Sequence, residues 1–282
     1  MDGFLLINKP VGWTSHDVVA RIKHQFHFPK VGHTGTLDPF ASGLLILCLG
    51  KATKLAYLFN DLDKIYLGTM VFGVSYDTLD ITGNLIKTMP VSLSYEQIIE
   101  GMQSMIGSND QVPPMYSALK VDGKKLYELA RDGIEIKREP REVTIYEFMP
   151  TSPFNEHKIS FLAHVSKGTY IRTLAYDLAL RLGNIAALET LLRIQIGTYH
   201  IRDAKSMDDV SIDDVISLET FFHDTPSITL NDYMIRLVKN GIYLDQRQIT
   251  TDQPFIVKNN EGQMIAYYTV TEANIYAPVI IF

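Results

Sequence analysis

The sequence predicts an α+β fold: a mixed, largely antiparallel sheet flanked by helices, with a smaller β-rich unit after it. Three observations predict it. Residues 64–74, KIYLGTMVFGV, alternate, with Tyr66, Gly68, Met70 and Phe72 on one face and Ile65, Leu67, Thr69 and Val71 on the other. That is the period of a strand with two distinct surfaces. The stretches 94–107 and 168–183 carry helical signals, yet helices and strands do not alternate as regular βαβ units. After about residue 227 the pattern turns to short strands and turns, as in FIVKNNEGQMIAYYTV.

The elements follow in chain order. FLLINK reads as a short strand. Ser15 is expected to cap a helix through Phe26, with Val18, Val19, Ile22 and Phe26 on one face. GLLILCLG is a continuous apolar run between glycines, which suits a buried strand. SYEQIIEGMQSMIG opens with a Ser94/Gln97 capping box and is expected to run as a helix to Gly107. KISFLAHVS, residues 158–166, is another strand. GTYIRTLAYDLALRLG places Ile171, Leu174, Leu178 and Leu182 on one stripe and stops at Gly183. No internal repeat or low-complexity stretch interrupts the chain. The expected division is a large domain over 1–226 and a small one over 227–282.

Composition bounds the function classes. With 46% hydrophobic and 21% charged residues, the chain of 282 residues has the balance of an ordinary soluble protein. No apolar run is long enough to span a bilayer, and the first residues lack the basic flank of a signal peptide, so a cytoplasmic protein with no membrane partner is expected. The single cysteine, Cys48, excludes an internal disulfide and a cysteine-cluster metal site. Its apolar neighbours make it an inert core thiol. The net charge of −6 is unevenly spread. Residues 1–60 hold Lys9, Arg21, Lys23, Lys30, Lys51 and Lys54 against Asp2, Asp17 and Asp38. Residues 201–226 hold seven acids against Arg202 and Lys205. The sign of a local face decides whether phosphates are attracted, so a nucleic-acid partner stays open.

Several chemistries are excluded by spacing. Gly43 and Gly50 enclose six strand-like residues before Lys51, where a phosphate-binding loop needs four. His16, His24, His27 and His33 have no Cys or carboxylate at ligand spacing, so no metal site is expected. Neither a Ser-His-Asp arrangement nor a Gly-x-Ser-x-Gly elbow is present.

What remains is GHTGTLDPFASGLL, residues 32–45, in which Asp38 is the only acid between Asp17 and Asp61. Taken alone, Asp38-Pro39 reads as a turn. Arg172 falls in a helix first turn, where a cation opposes the macrodipole. It is either a surface arginine or one that reaches inward to hold a carboxylate in a two-pronged pair. Tyr66 and Tyr170 are either core tyrosines or platforms for a flipped base. In residues 111–133, Lys120, Lys124, Lys125 and Arg131 interleave with Tyr116 and Tyr127 after Pro113-Pro114. That pattern suits a nucleic-acid backbone or a solvated amphipathic helix equally.

Five stretches occur in order: NKPVGWTS (8–15), VGHTGTLDPFASGLL, YLGTMVFGVSYDTLDITG, QVPPMYSALKVDGKKLYELARDG and SKGTYIRTLAYDLALRLG. Together they closely resemble the bacterial tRNA pseudouridine synthases of the TruB family, which modify the T-loop uridine at tRNA position 55. The resemblance spans about residues 3–200. Residues 227–282 look more weakly like the small RNA-binding PUA-type domain of many members. The chain departs from the family where Leu191-Leu192-Arg193 replaces the usual Leu-Arg-Arg, and where Ala187 replaces a common His.

The resemblance implies an isomerase that breaks the C1′–N1 bond of a flipped-out uridine, turns the uracil and joins C1′ to C5, with no cofactor and no metal. It assigns the essential carboxylate to Asp38. Pro39 disfavours helical dihedrals at Asp38, and the loop glycines let backbone approach a ribose. Tyr66 is implied to stack on the base, with a part in removing the C5 proton, and Arg172 to pair with Asp38. His33 is implied to fill the gap left in the T loop. Lys9 and Tyr170 line or brace the pocket, and Leu191 adds an apolar wall. An RNA-binding insertion is expected at about 111–141, with Lys120, Lys124, Lys125 and Arg131 on the RNA. The expected partner is the T arm of tRNA and the expected state a monomer. Attack of Asp38 at C1′, addition to C6 and removal of the 2′ proton all stay open. A nucleoside N-glycosidase would release free uracil, and a non-catalytic RNA binder would not need Asp38. A guide-RNA-dependent synthase would carry charged tails, which the sequence lacks.

Overall fold

The strand Gly3–Lys9 (β1) pairs antiparallel with Ser42–Leu49 (β3) along its whole length. Short Val31–His33 (β2) pairs with the β3 strand as well. In β1, Phe4 and Leu6 face one side of the sheet and Leu5 and Ile7 the other, so both sides bury apolar surface. On the Leu5 side lies helix Ser15–Phe26 (α1), which contributes Val18, Val19 and Ile22, with Phe26 only partly buried. The computed structural model describes residues 1–121 and 123–282; the side chains of Lys120 and Lys125 lie outside the described residues.

Among the described residues, ten strands form the main sheet. The 158–166 strand, observed as Lys158–Val165, pairs antiparallel with Lys64–Phe72 (β4), and the alternation expected for β4 is the one observed. Tyr66, Met70 and Phe72 are buried against helices Tyr95–Gln103 (α2) and Ile171–Arg181. The α2 capping box of Ser94 and Gln97 forms as expected, but the helix ends at Gln103, short of Gly107. At the N-terminus of α1 the cap is Thr14, not Ser15. Thr14 and Asp17 close a capping box, which frees the Ser15 hydroxyl for a tertiary contact with Leu37.

The strand at the centre of the sheet, Ala186–Ile196, carries no clear strand signal in its sequence. It lies between β3 and β4, antiparallel to β4 and parallel to β3. The parallel contact, Leu192 opposite Ser42 and Arg193 opposite Gly43, is the one parallel strand pairing described in this sheet. Gly43 has φ +111°, and a Cβ there would sit 2.3 Å from the Arg193 carbonyl oxygen, so no larger residue fits this junction.

Residues 111–133 form neither a long helix nor a plain loop. Lys120–Val121 pairs with Lys124–Lys125, and a six-residue helix, Leu126–Arg131 (α3), follows; Ile171–Arg181 is α4. Beyond Pro226, five strands make a second sheet, and the amphipathic helix Asp232–Lys239 joins it. This sheet packs Ile256, Tyr267 and Ile280 into one cluster with Phe4 and Leu44 of the first and with Phe59 of the helical turn Gly50–Phe59. Cys48 is fully buried, and burial pushes its thiol up to about 12.

Candidate active site

Residues 34–41, between β2 and β3, carry Asp38, and several long-range contacts pin them. The Ser15 hydroxyl accepts from the Leu37 amide at 2.8 Å and donates to the Leu37 carbonyl at 3.2 Å. The Gly12 amide donates to Pro39 O at 2.7 Å. Arg193, almost wholly buried, donates from Nη2 to Gly35 O at 3.1 Å and from Nε to Leu44 O at 2.8 Å. Within the loop, the Ala41 amide bonds Asp38 O at 3.1 Å. A loop held at so many points cannot carry its carboxylate away without breaking buried bonds.

Arg172, in the first turn of α4, reaches inward. Its side chain is 4% exposed, and its Nε lies 2.9 Å from Asp38 Oδ2. Three further acceptors surround the guanidinium: Thr78 O at 2.8 Å, Tyr116 O at 2.8 Å and the Asp80 carboxylate at 3.6 Å. A planar guanidinium with its donors in a fixed fork suits such a set. Asp80 is itself buried, and its carboxylate accepts from the Thr82 amide at 3.0 Å. Asp38 keeps 35% of its side chain exposed, toward the cleft. Burial pushes the Asp38 carboxyl above the ordinary carboxylate value; Arg172 opposes that rise and the nearby Asp80 charge adds to it.

The cleft has a volume of about 590 Å³. Asp38, Tyr66, Tyr170, Arg172 and Leu191 line it, joined by Arg193 and Lys64. Tyr66 comes from β4 and stands opposite Arg193 across the sheet. Tyr170 is the N-cap residue of α4, clamped by Gln111, whose side chain accepts from the Tyr170 amide at 2.7 Å and donates to its carbonyl at 3.1 Å. Lys64 donates to Asn60 O and Leu62 O, and burial lowers its amine to about 8.

Two of the expected residues, Lys9 and His33, are not among those that line the cleft. Lys9 is fully buried and donates to Pro10 O at 3.0 Å and Trp13 O at 2.6 Å; burial lowers its amine to about 8. It braces the turn after β1. His33 ends β2, half-buried, with an unpartnered buried Nδ1; burial lowers its pKa, which favours the neutral ring. Lys124 and Arg131 are exposed, and the Arg131 guanidinium lies over the Tyr127 ring at 5.4 Å. Lys120 and Lys125 are placed by their backbone pairing alone. Among the described residues, no three His, Cys, Asp or Glu side chains come together as a metal site.

Sequence reasoning missed Asp80, Arg193 and Ser117. Asp80 is one of two acids, with Asp77, in the DTLDITG stretch, and nothing local separates it from a turn aspartate. Ser117 and Thr34, whose hydroxyls are buried and unpartnered, also line this cleft.

Comparisons with known proteins bear on the family and the fold. The family model described as TruB family pseudouridylate synthase, N-terminal domain, matches residues 23–171. The chain is 53% identical over 279 residues to tRNA pseudouridine synthase B of Onion yellows phytoplasma (strain OY-M), covering 99% of each. It is 48% identical over 268 residues to the protein of the same name from Acholeplasma laidlawii (strain PG-8A), covering 95% of each. Among solved structures, a chain of a Cbf5-Nop10-Gar1 complex superposes with a TM-score of 0.69 at 22% identity, covering 96% of this chain and 79% of that one. At that identity the likeness is one of fold. The match across more than half the chain and the near full-length identity lead to one conclusion: this chain belongs to the TruB family of pseudouridylate synthases.

Proposed function

We propose that the protein isomerises the T-loop uridine of tRNA, position 55, to pseudouridine, with Asp38 as the essential carboxylate acting on a flipped-out nucleotide. The observation that carries this reading is the Asp38–Arg172 contact at 2.9 Å, at the wall of a cleft that Tyr66 also lines. The reaction is mass-neutral. The C1′–N1 bond breaks, a C1′–C5 bond forms, the C5 proton leaves, and the freed N1 takes up a proton. It needs an ionised carboxylate beside the ribose, a platform for the released base and exclusion of bulk water.

Each need has a residue in this chain. Arg172 favours the ionised form of Asp38 against the desolvation that opposes it. Tyr66 supplies the stacking platform and a hydroxyl near the C5 proton. Leu191 and Tyr170 wall the base off from water. Lys9 braces the strand that ends beside the Asp38 loop, and His33 fills the place the flipped nucleotide leaves in the T loop. Residues 1–226 act as the catalytic domain. Its insertion at about 111–141 sets Lys120, Lys124, Lys125 and Arg131 on the T-arm backbone. Residues 227–282 act as a PUA-like anchor on the rest of the tRNA. The protein works as a cytoplasmic monomer without a cofactor.

The test is incubation of the purified protein with unmodified tRNA transcript, followed by mapping of pseudouridine. The expected result is one pseudouridine at position 55 with no change in mass and no product from Asp38→Asn. Release of free uracil would indicate a glycosidase. Binding without any product, in the wild-type protein, would indicate an RNA binder.

A further inference from the structure

Besides the Asp38 loop, two separate pieces of chain hold the Arg172 guanidinium. One is the turn 77–84, which offers Thr78 O and the Asp80 carboxylate. This turn is anchored to the central strand, since the Leu188 amide donates to Leu79 O at 3.1 Å and the Ile81 amide to Leu188 O at 3.0 Å. The other piece is the root of the insertion, where Tyr116 O accepts from Arg172 Nη2 at 2.8 Å. One side chain links the two pieces. The Tyr116 hydroxyl donates to Asp77 Oδ2 at 3.4 Å, and the same Asp77 carboxylate accepts from the Asn84 amide at 2.8 Å and from Asn84 Nδ2 at 3.0 Å.

The same root carries the rest of the insertion. The Ser117 carbonyl accepts from the Tyr127 amide at 3.1 Å, and Leu119 O accepts from the Leu126 amide at 2.8 Å. Helix α3 and the paired Lys120–Val121 and Lys124–Lys125 strands therefore hang from the residues that directly follow Tyr116, the one that touches Arg172. Pro113 and Pro114, both buried, stiffen the approach.

We propose that Tyr116 is a positioning residue for Asp38: it joins the root of the insertion to the turn 77–84 and so sets the plane of the Arg172 guanidinium against the Asp38 carboxylate. The inference rests on the reading of Asp38 as the reacting carboxylate. It also gives the insertion a second task, because the segment that carries the RNA-facing cations shares its backbone with an acceptor of the ion pair. A guanidinium donates only in its own plane. If the Tyr116 carbonyl drifts, the fork rotates, Nε leaves its 2.9 Å contact, and Asp38 loses the partner that keeps it ionised. Burial and the adjacent Asp77 charge hold the Tyr116 phenol above its ordinary pKa, so it remains a donor through the working pH range.

The test is Tyr116→Phe in the full-length protein with unmodified tRNA transcript. Two quantities are read: the single-turnover rate at saturating protein as a function of pH, and the tRNA dissociation constant. The saturated rate is expected to fall about five- to tenfold, the effect of about one hydrogen bond, with the dissociation constant within about twofold of wild type. The acidic limb of the pH–rate profile is expected to move to higher pH. Asp77→Asn should act alike, and the double variant should be no slower than the slower single one, as for partners in one bond. If Tyr116→Phe does not fold, Asp77→Asn reads the same bond from its other side. An unchanged saturated rate overturns the proposal, as does a loss seen only in binding or an equal loss at every pH. Failure of the underlying reading looks different: the wild-type protein would make no pseudouridine, or Asp38→Asn would remain active, whatever the Tyr116 variant did.

Discussion

Removing the Arg172 side chain by Arg172→Ala perturbs Asp38 in a way that can be sized from the structure. At the observed 2.9 Å, two unit charges in a medium of effective dielectric about 20 attract by about 6 kcal/mol. Asp38 is 35% exposed, so solvent screening reduces the loss to about 2–3 kcal/mol, below the range for a fully buried pair. Losing that attraction should raise the Asp38 carboxyl further. Its value is already raised by burial, and the proposed chemistry needs the charged form, so the sign is set: the variant loses most at low pH and recovers part of its rate as pH rises. Single-turnover pseudouridine formation, followed from about pH 5.5 to about pH 9, checks this as a ratio to wild type. The ratio should climb steadily with pH. A ratio that stays flat would refute the argument, because Arg172 would then act on something other than the ionisation of Asp38. Arg172→Lys should restore little, since one ammonium cannot reach four acceptors that a planar fork serves.

Asp38→Asn should abolish turnover yet raise the melting temperature near neutral pH. The folded-state pKa of Asp38 lies above its unfolded value, so its contribution to stability is complete below the unfolded pKa and is lost as pH rises through the folded one. The stability gain of the variant should therefore vanish in acid, as thermal melts at several pH values would reveal; a variant less stable than wild type at neutral pH would contradict the burial argument. Lys124→Glu should weaken tRNA binding and flatten its salt dependence, by about 0.9 in log–log slope for each phosphate no longer neutralised, measured by titration at several salt concentrations. An unchanged slope would remove Lys124 from the RNA face. Deleting residues 227–282 should lower the melting temperature as well as tRNA affinity, because Ile256, Tyr267 and Ile280 share a core cluster with Phe4, Leu44 and Phe59. A truncated protein as stable as the full chain would show that cluster to be energetically idle.

Much of this molecule is written locally. The alternation of residues 64–72, the Ser94/Gln97 box and the stripe of α4 each depend on neighbours within a few positions, and each forms as its pattern predicts. Asp38 stands out for a similar reason: it is a lone acid in a loop whose glycines permit close backbone approach and whose Pro39 restricts the dihedrals of Asp38 itself. Family motifs supplied the rest of what could be read. The cap of α1 already shows the limit, since Thr14 and Ser15 are both good caps and only the demand of Leu37, 22 residues away from Ser15, decides which one is used elsewhere.

The central strand Ala186–Ile196 has no clean period of two, because its environment is set by β3 on one side and β4 on the other, both far away in the chain. Its placement is what brings Arg193 behind the Asp38 loop, to a carbonyl 149 residues distant. Whether Arg172 lies on the surface or in the site was equally undecidable from its helix, which a cation in the first turn does not favour. The choice is made by Asp38, Thr78, Asp80 and Tyr116, which come from three separate stretches of chain. Local pattern was enough to mark most of the elements and the one carboxylate to watch. What surrounds that carboxylate was settled only by folding, because burying a guanidinium is tolerable only where distant acceptors converge on it.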